Sequence, residues 1–304
     1  MEKFEVNILG CGSALPTTRH LPTSQVINFR EKLLLVDCGE GTQLQLRKMK
    51  QKFSRLNHIF ISHLHGDHCF GLPGLISTLG LLSRAGDIVI HAHKEAETIF
   101  RPMLDSFCDN LPFKVVFNHI DTYSSNVIYE DKSLKVTTIP LIHRMPTCGF
   151  LFEEKSKDKH LKPDMIAFWN VPVKDLKSIK EGNDWIAPDG TVVKNNMLTK
   201  AAASPRKYAY CSDTAYNEKI IPIIDGVDLL FHEATFAESE LVRAKQTFHS
   251  TAKQAATIAK EANVKKLIIG HFSARYENDE ILLNEAKEIF DNTVLANEGL
   301  SFNV

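Results

Sequence analysis

The chain is predicted to be an α/β protein made of two β-sheets packed face to face, with helices on their outer faces. Three observations carry this. Short runs rich in β-branched and aromatic residues alternate with helical patterns in both halves of the chain. A lysine-rich stretch, residues 155–206, interrupts the alternation. The densest group of reactive side chains, His63-Leu64-His65-Gly66-Asp67-His68, follows directly on an apolar strand pattern.

Phe4–Leu9, Gln25–Phe29 and Lys32–Val36 read as strands, with Arg30-Glu31 as a tight turn between the last two. A helical pattern runs from Thr42 to about Gln51, and Asn57–Ser62 is a strand ending at the histidine group. Pro73 sits where a first-turn proline is tolerated, and Leu75–Ser83 continues as helix. Strand 87–92, helix 94–106 and strands near 113–120, 125–130, 134–139 and 148–153 follow. After the interruption come strands 207–212 and 227–231, helix 250–262, strand 265–270, helix 279–290 and a strand near 293–296. No repeat of 20–50 residues is present. The 155–206 stretch, weakly periodic and punctuated by Gly, Pro, Asn and Asp, reads as an inserted arm within a single domain spanning 1–304.

Composition bounds the function. Lysine plus arginine number 36 against 37 acidic residues, so no global charge draws the chain to nucleic acid, although a local basic patch remains open. Six scattered cysteines without a C-x-x-C pair argue against a disulfide framework or a thiolate zinc knuckle and suit a reducing compartment. No signal-like region or membrane-length apolar run is read, so a cytoplasmic protein without a membrane partner is expected.

Three histidines and an aspartate within six residues are hard to explain as packing. Imidazole and carboxylate suit Zn²⁺, and their crowding is costly without a cation. His63 and His65 alternate and can face one metal. Asp67 and His68 follow a glycine and can reach a second. Further candidates recur after apolar strands: His143, Asp213 and His271. One metal would then take His63, His65 and His143, the other Asp67, His68 and His271, with Asp213 bridging. Such a pair activates water and stabilises both the entering and leaving oxygens of a phosphodiester.

These residues resemble the metallo-β-lactamase superfamily, whose H-x-H-x-D-H signature sits on a four-layer αββα sandwich. The resemblance spans nearly the whole chain and narrows to ribonuclease Z, the tRNA 3′-processing endoribonucleases. It is carried by Asp37-Cys38-Gly39-Glu40-Gly41-Thr42, by the H-E-A-T element at His232–Thr235 and by the H-S-T element at His249–Thr251. It implies a zinc-dependent endonuclease, with two Zn²⁺ (or Mn²⁺) per subunit, that removes the 3′ trailer of precursor tRNA and leaves a 3′-hydroxyl. Asp67 would bind metal and orient the attacking water, and Glu233 would tune His249 as proton donor to the departing ribose oxygen.

The resemblance further implies a homodimer and makes 155–206 a flexible, tRNA-gripping arm, with Lys174, Lys177 and Lys180 as candidate phosphate contacts. Two departures stand out. Asn170-Val171-Pro172-Val173 lacks the glycine of the family's Gly-Pro arm element, and Pro16-Thr17-Thr18-Arg19-His20 only loosely echoes its Pro-x-Lys-x-Arg-Asn loop.

Apart from the resemblance, Ser250 and Thr251 could simply cap a helix, and Glu233 could pair with a lysine. Two other functions compete. A small-molecule phosphodiesterase or arylsulfatase would share the metals but give the arm no task. A degenerate, RNA-binding family member would have lost metal ligands, whereas every candidate ligand is present here.

Overall fold

The computed structural model describes residues 2–108 and 110–304. The chain divides into a larger unit, residues 1–129, 136–152 and 207–304, and a smaller one, residues 130–135 and 153–206.

The first of two seven-stranded sheets has the order Ser301–Asn303, Phe4–Gly10, Ser24–Phe29, Lys32–Val36, Leu56–Phe60, Ile88–Ala92, Val115–His119. The first four are joined antiparallel and the last four parallel. The second sheet runs Thr293–Leu295, Leu267–Gly270, Leu229–Glu233, Lys207–Cys211, Cys148–Glu154, Leu134–Pro140, Val127–Glu130. Its first four strands are parallel.

Both faces of the central strands are covered, which is why they read as continuous apolar runs. In the first sheet Leu33, Leu35, Ile59 and Ile61 pack with Leu72, Leu75, Ile76 and Leu79 of helix Leu72–Leu81 and with Ala96, Phe100 and Leu104 of helix Glu95–Phe107. The alternate residue Phe60 points the other way, its ring centroid 5.5 Å from those of both Phe150 and Phe152 of the second sheet. Helix Ala252–Glu261 covers the second sheet through buried Ala255, Ala256 and Ala259, whose small side chains permit close approach. Four layers result, as predicted.

Most element boundaries agree with the sequence pattern within a few residues. The helix expected to reach Gln51 stops at Lys48, with Lys50 in the left-handed region at φ 54°. Helix Leu72–Leu81 carries Pro73 in its first turn, as expected, and ends two residues short of Ser83. The short edge strand Ser301–Asn303 and helix Leu241–Thr247 lacked enough apolar periodicity to be read.

The smaller unit has its own core. Val171, Ile179, Trp185, Ala187, Val193 and Leu198 are buried together, although weak periodicity had hidden them. Asn195 ties this unit internally, its Nδ2 donating to the carbonyls of Ile179 at 2.7 Å and Asn183 at 2.8 Å. Lys174 lies in a short 3₁₀ turn, and Lys177 and Lys180 lie on the following helix, Leu176–Lys180. Their i, i+3 spacing puts the three lysines along one side. Lys174 and Lys177 are exposed and Lys180 is half-buried.

Candidate metal centre and active site

Strand ends build the site. Asp37 follows Lys32–Val36, Asp213 lies two residues past Lys207–Cys211, and His271 follows Leu267–Gly270. All three have left-handed backbones, with φ of 55°, 38° and 62°. L-residues adopt that region at a cost of about 1 kcal/mol, so three such positions at one site mark chain reversals held by their surroundings. Gly66 begins a single helical turn, Gly66–Cys69, that carries Asp67 and His68.

Ligand-capable atoms of His63, His65, His143 and Asp213 lie within 4.8 Å of one another, as do those of Asp67, His68 and His271. Asp213 links the groups. Its Oδ1 is 3.0 Å from Nε2 of both His68 and His271, while its Oδ2 is 3.5 Å from His63 Nε2 and 3.7 Å from His143 Nε2. Asp67 Oδ2 is 3.5 Å from Nε2 of both His68 and His271.

The donor set fits divalent cations. His65 Nδ1 lies 3.0 Å from His63 Nε2 and 3.2 Å from His143 Nε2, a convergence that a single imidazole proton cannot satisfy twice. Protons are also badly placed here. Burial pushes His63, His65 and His143 below the usual imidazole range. Burial opposes charge at His68 as well, but Asp213, Asp67 and Asp37 hold its proton far above that range. Asp67 and Asp213 resist protonation despite burial, because the neighbouring imidazoles hold them ionised. His63, His65 and His143 are thus neutral beside ionised carboxylates, the state that binds metal, while the proton His68 holds against three carboxylates stands where a divalent cation would supply the positive charge.

The ligands are themselves oriented. Asp37, fully buried, accepts from Ser62 N–H at 2.7 Å, Ser62 Oγ at 2.9 Å, His68 Nδ1 at 2.7 Å and Tyr210 OH at 2.6 Å. His68 Nε2 is thereby left facing Asp213. His143 Nδ1 meets the Phe248 carbonyl at 3.0 Å, and Thr235 Oγ1 lies 2.9 Å from His271 Nδ1. Ala14 N–H donates to Asp67 Oδ2 at 2.7 Å. The roles of Asp37, Thr235 and the Ala14 amide were not read from the sequence. Only the Asp37 motif carried any signal, since hydroxyls and main-chain amides leave none.

Among the described residues Glu233 pairs with a histidine rather than with a lysine. Its Oε1 accepts from His249 Nδ1 and Thr214 N–H, both at 2.8 Å, and its Oε2 accepts from Thr235 Oγ1 at 2.6 Å. Burial disfavours the His249 charge, but Glu233 outweighs it and lifts the imidazole to about 9. Thr251 does cap the next helix, in a reciprocal pair with Gln254. Ser250 Oγ donates to the Thr214 carbonyl at 2.7 Å. The cap therefore helps to hold His249 beside Glu233.

Over these groups opens a cavity of about 640 Å³, lined by His65, Asp67, Asp213, His249 and His271 with Pro16, Phe70, Arg144, Arg243 and Arg275 among others. The loop carrying Pro16 is tethered by Arg19, 3.2 Å from Asp279, and by His20, between Asp279 at 2.8 Å and Glu298 at 3.1 Å.

Two sheets with helices outside, and paired His/Asp groups at the strand ends joined by one carboxylate, define a metal-binding hydrolase of the metallo-β-lactamase fold. A metallo-β-lactamase fold protein, YhfI of Bacillus subtilis, superposes with a TM-score of 0.69 at 18% identity, covering 99% of this chain and 100% of its own. The short form of human tRNase Z superposes with a TM-score of 0.71 at 26% identity, covering 99% of both chains. Ribonuclease Z of Bacteroides fragilis is 61% identical over 300 residues, 99% of each chain. The chain belongs to the ribonuclease Z family of metal-dependent endoribonucleases. A family model described as anti-Pycsar protein Apyc1 also matches residues 4–174. That match takes in His63–His68 and His143 but ends before Asp213, Glu233, His249 and His271.

Proposed function

We propose that this enzyme removes the 3′ trailer from precursor tRNA, cutting a phosphodiester so that the tRNA keeps a 3′-hydroxyl. The observation that carries the reading is that one cavity is lined both by His65, Asp67, Asp213 and His271 of the ligand groups and by His249, whose Nδ1 is held by the buried Glu233. His63, His65 and His143 would hold one divalent cation and Asp67, His68 and His271 another, with Asp213 shared. Zinc suits these donors, and manganese is the alternative. Such cations supply Lewis acidity at the scissile phosphate and lower the pKa of the attacking water.

The chain's own groups do the rest. Asp67, fixed by the Ala14 amide, orients the attacking water with its carboxylate. His249 keeps a proton at neutral pH because Glu233 faces its Nδ1, leaving the other ring nitrogen to protonate the departing ribose oxygen. Lys174, Lys177 and Lys180 of the smaller unit contact tRNA phosphates, so residues 155–206 act as a substrate-holding arm. The enzyme works as a cytoplasmic homodimer; among the described residues no helix is long and apolar enough to cross a membrane.

The test is metal-loaded protein with a trailer-bearing precursor tRNA, the new ends mapped, Asp67→Ala run alongside and bound metal counted. A cut next to the discriminator nucleotide that vanishes in the variant is expected. No cut, with bis(p-nitrophenyl) phosphate still hydrolysed, would make the enzyme a small-molecule phosphodiesterase.

A further inference from the structure

The rim of the cavity holds three side chains that the chemistry above leaves without a task. Phe70, directly after the helical turn of Asp67 and His68, is 70% exposed although it lines the cavity. Its ring lies against the backbone of Gly66, where an added Cβ would sit 2.3 Å from ring atom Cε2. Gly66 is not among the residues with positive φ, so the glycine is there for space: it seats the ring. Arg144 and Arg243 also line the cavity and are exposed. Among the described residues neither forms an ion pair or a side-chain hydrogen bond, unlike Arg275, which meets Glu240 at 2.5 Å and covers the Phe236 ring.

A solvent-exposed aromatic ring beside unpaired guanidinium groups is the chemistry that takes single-stranded nucleic acid. Bases of any sequence stack on the ring, and backbone phosphates meet the cations. A small monophosphate diester has no second phosphate to offer, whether or not it carries a base.

We infer that Phe70, Arg144 and Arg243 form a nucleotide clasp, in which the Phe70 ring stacks the base next to the scissile bond and the two arginines take the flanking phosphates. The clasp rests on the precursor-tRNA reading and deepens it by naming what positions the strand. All three are positioning residues, acting through substrate placement.

The experiment couples protein and substrate changes. Steady-state cleavage is measured for wild type, Phe70→Ala and Phe70→Trp on precursor tRNAs that are intact, abasic at the discriminator, or abasic at the first trailer nucleotide. Phe70→Ala is expected to raise KM on the order of tenfold, with kcat changed much less, and Phe70→Trp to restore it. At one of the two positions the abasic substrate costs wild type a similar factor, and the two losses do not multiply when combined. Losses that multiply at both positions, or an unchanged KM in Phe70→Ala, would overturn the stacking role.

For the arginines, log(kcat/KM) is followed against log salt concentration. The Arg144→Gln/Arg243→Gln double variant is expected to shallow the slope by about 1.4, roughly 0.7 for each single-strand phosphate that no longer meets a cation. An unchanged slope would overturn their role. Wild type failing to cut any precursor would instead overturn the substrate reading, and the clasp with it.

Discussion

Replacing Asp37 separates stability from metal affinity. Asp37 is fully buried and accepts four hydrogen bonds, from Ser62 N–H, Ser62 Oγ, His68 Nδ1 and Tyr210 OH. Asp37→Ala removes every acceptor. The Ser62 hydroxyl keeps a second partner in His63 Nδ1 at 3.0 Å and the Tyr210 hydroxyl keeps one in the Ser212 side chain, which leaves the Ser62 amide and the His68 ring N–H buried and unpaired. At about 1–3 kcal/mol for each of the two orphaned donors the loss is roughly 2–6 kcal/mol, a large part of the stability of a typical domain. Asp37→Asn keeps the shape and one acceptor, which the rigid Ser62 amide claims. Its amide donor then meets the His68 Nδ1 side. The imidazole relieves that clash by moving its proton to Nε2, the atom 3.0 Å from Asp213 Oδ1 in the ligand group. Asn is therefore expected to fold with a modest loss but to bind metal about 10–100-fold more weakly. Urea melts give the first quantity, and titration against a competing chelator gives the second. Metal affinity in Asp37→Asn within twofold of wild type would refute the orienting role, and a loss below about 1 kcal/mol in Asp37→Ala would refute the orphaned-donor count.

Three other outcomes are expected. Hydrogen bonding to Asp279, then to Glu298, lifts His20 from the usual 6.5 to about 9. Because the folded value is the higher one, this stabilisation, on the order of 3 kcal/mol, is complete below pH 6.5 and fades as pH rises to about 9. Urea stability of wild type should therefore drop more over that window than that of His20→Asn, and parallel curves would count against it. At Gly71 an added Cβ would fall 2.2 Å from the Gly39 carbonyl oxygen, so Gly71→Ala should cost about 1–3 kcal/mol or more in a urea melt. Unchanged stability would mean that the Gly39 turn yields. Glu233→Gln removes the charge that keeps His249 protonated and should lower kcat on the order of 10²-fold. A substrate with a 3′-sulfur leaving group, which needs no proton, should recover most of that loss, and no recovery would assign Glu233 a purely structural part.

Local pattern made much of this protein legible. Apolar runs such as Lys32–Val36 and Leu267–Gly270 identify buried strands, because both faces of a strand between layers must be apolar. His63, His65, Asp67 and His68 share one short stretch, so their common purpose is visible without a fold. The smaller unit was harder to read. Its core residues, such as Trp185 and Leu198, come from elements of two to six residues, too short to display a period.

Sequence by itself determined the fold class, the identities of the metal-ligand candidates and, through the H-E-A-T and H-S-T elements, a candidate proton donor. Each of these depends on residues adjacent along the chain or on strand patterns a few residues long. Tertiary structure alone decided which carboxylate oxygen faces which ligand group, that four donors converge on Asp37 and that Thr235 ties Glu233 to His271. It also decided that Phe70, Arg144 and Arg243 share one rim. These are pairings between atoms separated by up to about 170 residues in the chain, as with Tyr210 and Asp37. Hydrogen bonds and ion pairs act over a few ångströms, so such partners are chosen only when the two sheets pack and bring their strand ends together.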